Sequence, residues 1–418
     1  MNITFYLFLD SKYIYILWVR RFIVDSKNEI SKILTVGLVL PYLKSRGTEK
    51  QALRLAKGFI KKGTRVVVFI IQGWGSKEMY HEFTCAGAEV VNVGEKEFEG
   101  EKKVQFSRFF SLSKMSRKYD CDILLSRAGM ANRISGYAGL IAKIPTISVI
   151  SGAIICQNYD LSDNILKNFV LSFFFKKSLG FPTHIITVSK EGRNNILHNY
   201  PNYICSVTAI PNGVDFKHIV EMSLKQCRYV LPNDKFNISY AGSIEIGRKG
   251  LDVLIEALKI IIYEANDMDV QLTIIGTGDD MDEVKAMVDQ YSLHNNVIFT
   301  GESDNPYNII KQSDLFILPS RREGLPNALL EAMSLGICCI AADCDTGPRE
   351  IIENYKNGIL FPVGDSNALA YAILDLKSNC KMIETLGSAG KKTVHDKFLD
   401  DLMVEKYYNL IQNIVIKK

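Results

Sequence analysis

The chain alternates short, uninterrupted apolar runs with longer stretches of helical periodicity, and it does so in two series. Continuous apolar strands that alternate with helices are typical of a parallel sheet covered on both faces. The first series predicts strands at Ile33–Leu40, Arg65–Ile71, Glu89–Val93, Ile123–Ser126, Thr146–Ile150, Ile185–Ser189 and Val207–Ile210. The second predicts strands at 235–242, Leu272–Gly276, Val297–Thr300, Leu315–Pro319 and Ile337–Ala341. We therefore expect an α/β fold of two doubly wound, Rossmann-like domains that face each other across a cleft, with ligands at the carboxyl ends of the strands.

The length of 418 residues also favours two domains over one core. We place the boundary in the irregular segment Pro211–Lys235. The predicted division is an apolar N-terminal extension (1–29), an N-terminal domain (30–210), a C-terminal domain (211–395) and a C-terminal helix (396–418), for which packing back on the N-terminal domain is one option.

Charge and cysteine usage narrow the class of protein. The formal charge of +4 is too small to imply nucleic-acid binding, although it suits an anionic ligand or an acidic membrane surface. The nine cysteines are scattered, and the adjacent pair Cys338 and Cys339 lies in an apolar run, which fits core positions in a reducing cytoplasm. No CxxC, HExxH or Cys/His cluster occurs, so the sequence offers no basis for a metal site.

The N-terminal extension is apolar and aromatic but is interrupted by Asp10, Ser11 and Lys12. It lacks the basic region and the small-residue cleavage site of a signal peptide. A spanning helix, an interfacial segment and a hairpin that turns at Asp10 all stay open.

The loop "YAGSIEIGRKG" combines features that suit an anion. Gly242 lets a ligand approach the main chain, and Arg248 and Lys249 stand just before a helix whose first N–H groups favour phosphate. A solvated basic turn is the plain alternative. Gly242 and Gly247 have P-loop spacing, but Arg248 stands where a P-loop requires Lys, which makes an ATPase a weak interpretation.

The stretch "PSRREGLPNALLEAM" sets two glutamates eight positions apart around a helix start. Gly324 and Leu325 turn the chain, Pro326 suits the first helical position, and the N–H groups near Asn327 are predicted to point into the cleft. Glu331 shares a helix face with Asn327 at the i, i+4 spacing. A carboxylate can accept two hydrogen bonds from a vicinal diol, so a sugar nucleotide would fit this pattern, with Glu331 on the ribose and Glu323 near the sugar. Two ordinary surface glutamates, or the carboxylate pair of a glycosidase, are the alternatives.

The stretch "SRREGLPNALLEAMSLGICCIAADCDTGPREII" resembles the signature of retaining glycosyltransferases of family 4, which have the GT-B fold. The stretches "RGTEKQALRLA", "IITVSKE", "IPNGVD", "RKGLDVLIEAL" and "IIGTGD" agree in order and position. The resemblance covers the chain from about Ile33 to its end. It implies that Glu323 and Glu331 form the EX7E pair and that Lys249 binds the diphosphate.

The resemblance also extends the predicted site. The catalytic candidates are Glu323, Lys249 and Arg248. The donor-binding candidates are Glu331, Gly242, Ser243, Gly276, Gly278, Gly324, Leu325, Pro326, Asn327 and Gly47. Two departures stand out: Ser243 occupies the position of a usual arginine, for which Arg248 is a candidate substitute, and the paired glycines of the first loop are here Arg46 and Gly47.

The expected function is transfer of a hexose or N-acetylhexosamine, with retention, from a nucleotide diphosphate sugar, most simply a UDP-sugar, to a lipid-linked or polysaccharide acceptor in surface-glycan synthesis. No metal or other cofactor is expected, since Lys249 and helix N–H groups can stabilise the leaving diphosphate. A sugar-nucleotide epimerase and an inactive GT-B scaffold are the alternatives.

The expected location is the cytoplasm, with peripheral binding to the inner face of the cell membrane as an option. Lys50, Arg54, Lys57 and Lys61 follow one another at helical spacing and form a candidate basic stripe for anionic lipid. The stretch "LKNFVLSFFFKKSLGF" adds phenylalanines and lysines in the same predicted domain. A solvated helix face and core phenylalanines are the plain alternative.

Overall fold

The computed structural model describes residues 6–10, 13–17, 33–44, 47–73, 75–93, 101–150, 182–200 and 206–416. The chain divides into two compact units, Met1–Ile33 and Leu34–Lys418. In the first unit, strands β1 (Tyr6–Asp10) and β2 (Tyr13–Leu17) pair antiparallel. The hairpin interpretation of the N-terminus is therefore confirmed, with Asp10 paired to Tyr13. The phenylalanine-rich stretch at 166–181 lies outside the described residues.

The second unit begins with a seven-stranded parallel sheet in the order β5-β4-β3-β6-β7-β8-β9. All seven strands of the first predicted series are confirmed, with ends that differ by at most two residues. The strands are β3 (Thr35–Leu40), β4 (Arg65–Ile70), β5 (Glu89–Asn92), β6 (Ile123–Arg127), β7 (Thr146–Ile150), β8 (His184–Thr187) and β9 (Val207–Ala209). The helices described between them are α1 (Gly47–Lys61), α2 (Lys77–Cys85), α3 (Glu101–Lys118), α4 (Gly129–Ala142) and α5 (Lys190–Asn199). Valine and isoleucine are buried on both faces of the central strands, which is why these strands read as continuous apolar runs.

A six-stranded parallel sheet follows in the order β12-β11-β10-β13-β14-β15. Its strands are β10 (Phe236–Ala241), β11 (Val270–Ile275), β12 (Val297–Gly301), β13 (Leu315–Leu318), β14 (Cys338–Ala342) and β15 (Ile359–Phe361). The sequence predicted the first five strands but missed β15, because three residues are too few to show a pattern. Both adjacent cysteines are buried on β14, as expected.

The helices of this second half support the sheet and the chain end. They are α6 (Phe216–Ser223), α7 (Ile246–Lys249), α8 (Leu251–Lys259, continued by a π-helical turn at Ile260–Glu264), α9 (Met281–Gln290), α10 (Tyr307–Ile310), α11 (Asn327–Ser334), α12 (Pro348–Ile351), α13 (Ser366–Lys377), α14 (Cys380–Lys397) and α15 (Asp400–Ile416). Within the described parts of the chain, none of the helices combines the length and the apolar character that crossing a membrane requires.

The last helix, α15, packs against α1 beside the first sheet. An ideal Cβ on Gly58 would lie 2.4 Å from Val404 Cγ2, so the missing side chain lets the two helices approach closely. Lys62, the residue directly after α1, donates a hydrogen bond of 2.5 Å to Glu405 of α15. The chain thus returns from the second sheet to the first, while the numerical domain boundaries stay predictions.

Parallel strands end at one edge of their sheet, and this positions the candidate residues. Strands β10 and β13 are neighbours, so the loop that follows Ala241 and the loop that follows Leu318 leave the same edge side by side. The first loop carries Gly242 and Lys249, and the second carries Glu323. The predicted donor residues therefore lie at the carboxyl ends of the strands, where ligands of such sheets bind.

Candidate active site

Three glycines bring the loops after β10 and β11 into contact. A Cβ on Gly276 would lie 2.0 Å from the carbonyl oxygen of Gly242, and a Cβ on Gly278 would lie 2.2 Å from that of Ile244. The Ile244 N–H donates to the Thr277 carbonyl at 3.0 Å in the same place. These glycines have a structural reason in this chain, namely close backbone approach. Their predicted role beside the nucleotide stays a prediction.

Arg248 is held in a small cluster next to Ser243. Its Nη2 donates to Ser243 Oγ at 3.0 Å and to Glu245 Oε1 at 2.8 Å, and its Nε donates to Glu245 Oε2 at 2.9 Å. Hydrogen bonding to Arg248 lowers the pKa of the Glu245 carboxyl to about 2. The side chain of Arg248 is 40% exposed, so part of the guanidinium faces solvent. The structure thus brings Arg248 to the serine that replaces the usual arginine.

Arg321 holds the short helix α7, which carries Arg248 and Lys249, in place. This guanidinium makes two hydrogen bonds to the Asp252 carboxylate, at 2.7 and 2.6 Å, and a third to the Ile246 carbonyl at 2.9 Å. The Arg321 N–H donates to the carbonyl of Arg248 at 2.9 Å. The sequence did not predict these contacts of Arg321, because its partners lie on α7 and α8, about 70 residues earlier, and no local pattern joins them.

Lys249 and Glu323 form a close ion pair at the edge of the second sheet. Lys249 Nζ donates to Glu323 Oε1 at 2.5 Å, and the two side chains are only 14% and 9% exposed. The Ser320 hydroxyl donates to the same carboxylate oxygen at 2.8 Å. The two main catalytic candidates therefore touch each other and are shielded from bulk water.

The turn before α11 is fixed by contacts with the loop after β14. Thr346 donates a hydrogen bond to the main-chain carbonyl of Glu323. A Cβ on Gly347 would lie 2.7 Å from the carbonyl oxygen of Gly324, and Gly347 has a φ of 87°. Both the close approach and the positive φ favour glycine at this position. Leu325 is buried in the core. Helix α11 begins at Asn327, so the expectation that Pro326 is its first residue is wrong by one position: Pro326 immediately precedes the helix.

Glu331 faces the first domain across the cleft. Its Oε1 lies 3.6 Å from Nη2 of Arg54 on α1, and the two side chains are 15% and 11% exposed. Burial and the Glu331 carboxylate raise the pKa of Tyr307.

The contact between Arg54 and Glu331 shows that the predicted basic stripe is wrong for one of its members. Arg54 points to the opposite domain and not to solvent, whereas Lys57 and Lys61 are exposed as predicted.

Asn327 also contacts the first domain. Its Oδ1 accepts hydrogen bonds from Gln51 Nε2 at 3.2 Å and from Asn212 Nδ2 at 3.1 Å. A Cβ on Gly47 would lie 2.9 Å from Asn327 Nδ2. A small residue at position 47 thus allows the start of α1 to approach the start of α11, which places Gly47 at the donor side of the cleft, while its role there stays a prediction.

A second link crosses the cleft at α5. The Glu350 carboxylate of α12 accepts hydrogen bonds from the main-chain N–H groups of Lys190, at 2.8 Å, and Glu191, at 3.0 Å. These N–H groups belong to the first turn of α5, where a carboxylate is favoured. Among the described residues, polar contacts therefore join the two domains both at α11 and at α12.

Models of known protein families match both halves of the chain. A family model described as "Glycosyltransferase Family 4" matches residues 45–218, and one described as "Glycosyl transferases group 1" matches residues 226–393. The first match covers every strand of the seven-stranded sheet except β3, and the second covers the whole six-stranded sheet. These findings support a GT-B glycosyltransferase. The match of each half of the chain to a glycosyltransferase model agrees with the predicted GT-B fold.

Several curated relatives of the chain are named for the synthesis of cell-surface glycans. The chain is 27% identical over 253 residues to a capsular polysaccharide biosynthesis glycosyltransferase, CapM, of Staphylococcus aureus, which is 58% of this chain and 66% of the relative. It is 27% identical to a UDP-Gal:alpha-D-GlcNAc-diphosphoundecaprenol alpha-1,3-galactosyltransferase of Escherichia coli over 53% of this chain and 60% of that protein. The chain thus matches somewhat less than two thirds of these relatives' length.

Solved structures agree with the fold. A glycosyltransferase from Rickettsia africae has a TM-score of 0.74 at 19% identity, with 93% of this chain and all of that chain covered. Anabaena HepE in complex with UDP and glucose has a TM-score of 0.74 at 17% identity, with 91% of this chain and all of that chain covered. Likeness at this identity supports the two-domain architecture.

Proposed function

We propose that the protein is a retaining glycosyltransferase that transfers a hexose or N-acetylhexosamine from a UDP-sugar to a lipid-linked or polysaccharide acceptor in surface-glycan synthesis. The observation that carries the proposal is the shielded Lys249–Glu323 pair, with Ser320, at the edge where ligands of such sheets bind. The names of the relatives, which include an undecaprenol-linked galactosyltransferase, support the donor and acceptor classes.

In this proposal the cations of α7 bind the donor diphosphate. Lys249 exchanges part of its contact with Glu323 for the phosphate, and Arg248 supplies the charge that Ser243 lacks. These groups are fixed before the reaction, so they stabilise the charge that develops on the leaving diphosphate without reorganisation. The acceptor hydroxyl attacks from the same face, and the leaving phosphate takes its proton. Glu323 contacts the transferred sugar and Glu331 the ribose.

The test is a donor screen followed by product analysis. A ligand that binds only the folded state raises the unfolding temperature, so UDP-, GDP- and ADP-sugars are first compared by thermal shift. The donor that binds is then supplied with a labelled sugar and a diphospholipid acceptor. Label in the lipid supports the proposal, an epimerised free donor supports the epimerase, and binding without turnover supports an inactive scaffold.

A membrane-bound acceptor implies a membrane-facing surface. Lys57 and Lys61 of α1 are exposed, and basic residues near an anionic leaflet contribute about 1 kcal/mol each. We propose peripheral binding to the inner face of the cell membrane through this helix. Sedimentation of the full chain with vesicles of rising anionic lipid content tests it. Lys57→Glu with Lys61→Glu is expected to reduce sedimentation, and equal sedimentation of both proteins would assign the contact to another surface.

A further inference from the structure

Arg54 stands at the centre of a polar contact between the two domains. Its Nη1 donates to the carbonyl of Gly213 at 2.9 Å, and its Nη2 lies 3.6 Å from Glu331 Oε1. Gln51, one turn earlier on α1, donates to the same Gly213 carbonyl at 2.8 Å. One guanidinium thus joins the first domain, the connecting segment and α11.

The same contact includes the first residue of α11. Asn327 Oδ1 accepts from Gln51 and from Asn212, and the Asn212 side chain in turn accepts from Arg127 Nη2 at 3.0 Å. Asn212 and Arg127 are 5% and 1% exposed. Buried polar groups joined in this way hold their partners in one arrangement. The start of α11 is therefore fixed by Gln51 of the other domain and by Asn212 of the connecting segment.

Charge explains why Arg54 matters most among these residues. Glu331 is 15% exposed, and a largely shielded carboxylate is costly unless a cation or hydrogen-bond donors pair with it. The Arg54 guanidinium pairs with Glu331 Oε1, and its hydrogen bond to the Gly213 carbonyl holds the guanidinium in place. An arginine can make both contacts at once through its fork of N–H groups, which a lysine cannot do.

We propose that Arg54 is a positioning residue for the donor site: it orients the Glu331 carboxylate from the opposite domain, so that nucleotide binding depends on a side chain of the acceptor-side domain. This inference rests on the proposed function, in which Glu331 contacts the ribose. It implies that the Glu331 carboxylate is oriented to bind the ribose hydroxyls only when the two domains are in contact.

The test is a double-variant cycle on nucleotide affinity in the full-length chain. UDP is the probe, or whichever of UDP, GDP and ADP the wild-type protein binds. Arg54→Met is expected to weaken binding about tenfold, which is within the range of couplings between residues in contact. The nucleotide affinity of Arg54→Lys is expected to lie between that of the wild type and that of Arg54→Met. Arg65→Met removes an arginine from a surface pair with Glu89 and is expected to bind as the wild type does.

The cycle separates positioning from a general loss of structure. In a Glu331→Gln background Arg54→Met is expected to cause no further loss of affinity, because the group through which it acts is gone. Full additivity of the two changes, or wild-type affinity in Arg54→Met, would overturn the inference while leaving the proposed function intact. A wild-type chain that binds none of the nucleotides would instead refute the proposed function, and the inference with it.

Discussion

Removal of the lysine from the Lys249–Glu323 pair is expected to cost both stability and activity. Breaking a buried ion pair from one side costs about 3–5 kcal/mol. Here the side chains are 14% and 9% exposed, and Ser320 donates to the carboxylate at 2.8 Å, a contact that does not involve the lysine. A remaining hydrogen bond to a charged group offsets about 1.5–3 kcal/mol of this. We therefore expect Lys249→Met to lower the free energy of unfolding by about 2 kcal/mol.

Urea unfolding followed by circular dichroism measures this loss. The double variant Lys249→Met with Glu323→Gln removes both charges and is expected to regain most of the stability. Turnover is expected to fall about a hundredfold or more in Lys249→Met and to stay low in the double variant. Lys259→Met is the control, since its pair with Glu256 is largely exposed and worth little. An unchanged urea midpoint in Lys249→Met would refute the stability argument, and recovered turnover in the double variant would refute the catalytic one.

Three further predictions concern the neighbouring loops. Gly278→Ala is expected to lower the unfolding midpoint and the donor affinity, because its Cβ would meet the Ile244 main chain, whereas Gly247→Ala, with no heavy atom within 4 Å of the added Cβ, is expected to do neither. In steady-state kinetics Glu331→Ala should raise the donor KM and Glu323→Ala should mainly lower kcat, since ribose contacts are already present in the ground state; equal effects on KM alone would contradict this division. The pKa of Glu245 is lowered from 4.5 to about 2, so its contribution to stability is present above pH 4.5 and is lost as the pH falls towards 2. The difference in urea midpoint between the wild type and Glu245→Gln should shrink over that range, from a modest starting value because the carboxylate is 40% exposed; a difference that does not change with pH would speak against the shift.

Much of the architecture was predictable from the sequence. The buried parallel strands are recognisable because each is a local run of apolar residues, and twelve of the thirteen strands in the two large sheets were predicted. The missed strand, Ile359–Phe361, is too short for a pattern. The loop residues Lys249 and Glu323 were also found, since each lies in a motif next to a strand end.

The tertiary structure alone decided which charges are paired. Arg54 and Lys57 have the same kind of side chain on the same amphipathic helix, and no local pattern tells which of them faces water. Arg54 meets Glu331 only because the second domain closes against α1 at that point. In the same way the pairing of Arg321 with Asp252 joins a loop to the start of α8, and the two residues are distant in sequence.

The sequence by itself determined the α/β class, the two parallel sheets and the position of the candidate residues at their carboxyl edges, because hydrophobic periodicity and turn chemistry are local properties. The contacts of Glu331 and Asn327 with the opposite domain were decided only by the tertiary structure. Contacts between side chains far apart in the chain depend on how whole elements pack, and packing has no signature in a single stretch of sequence.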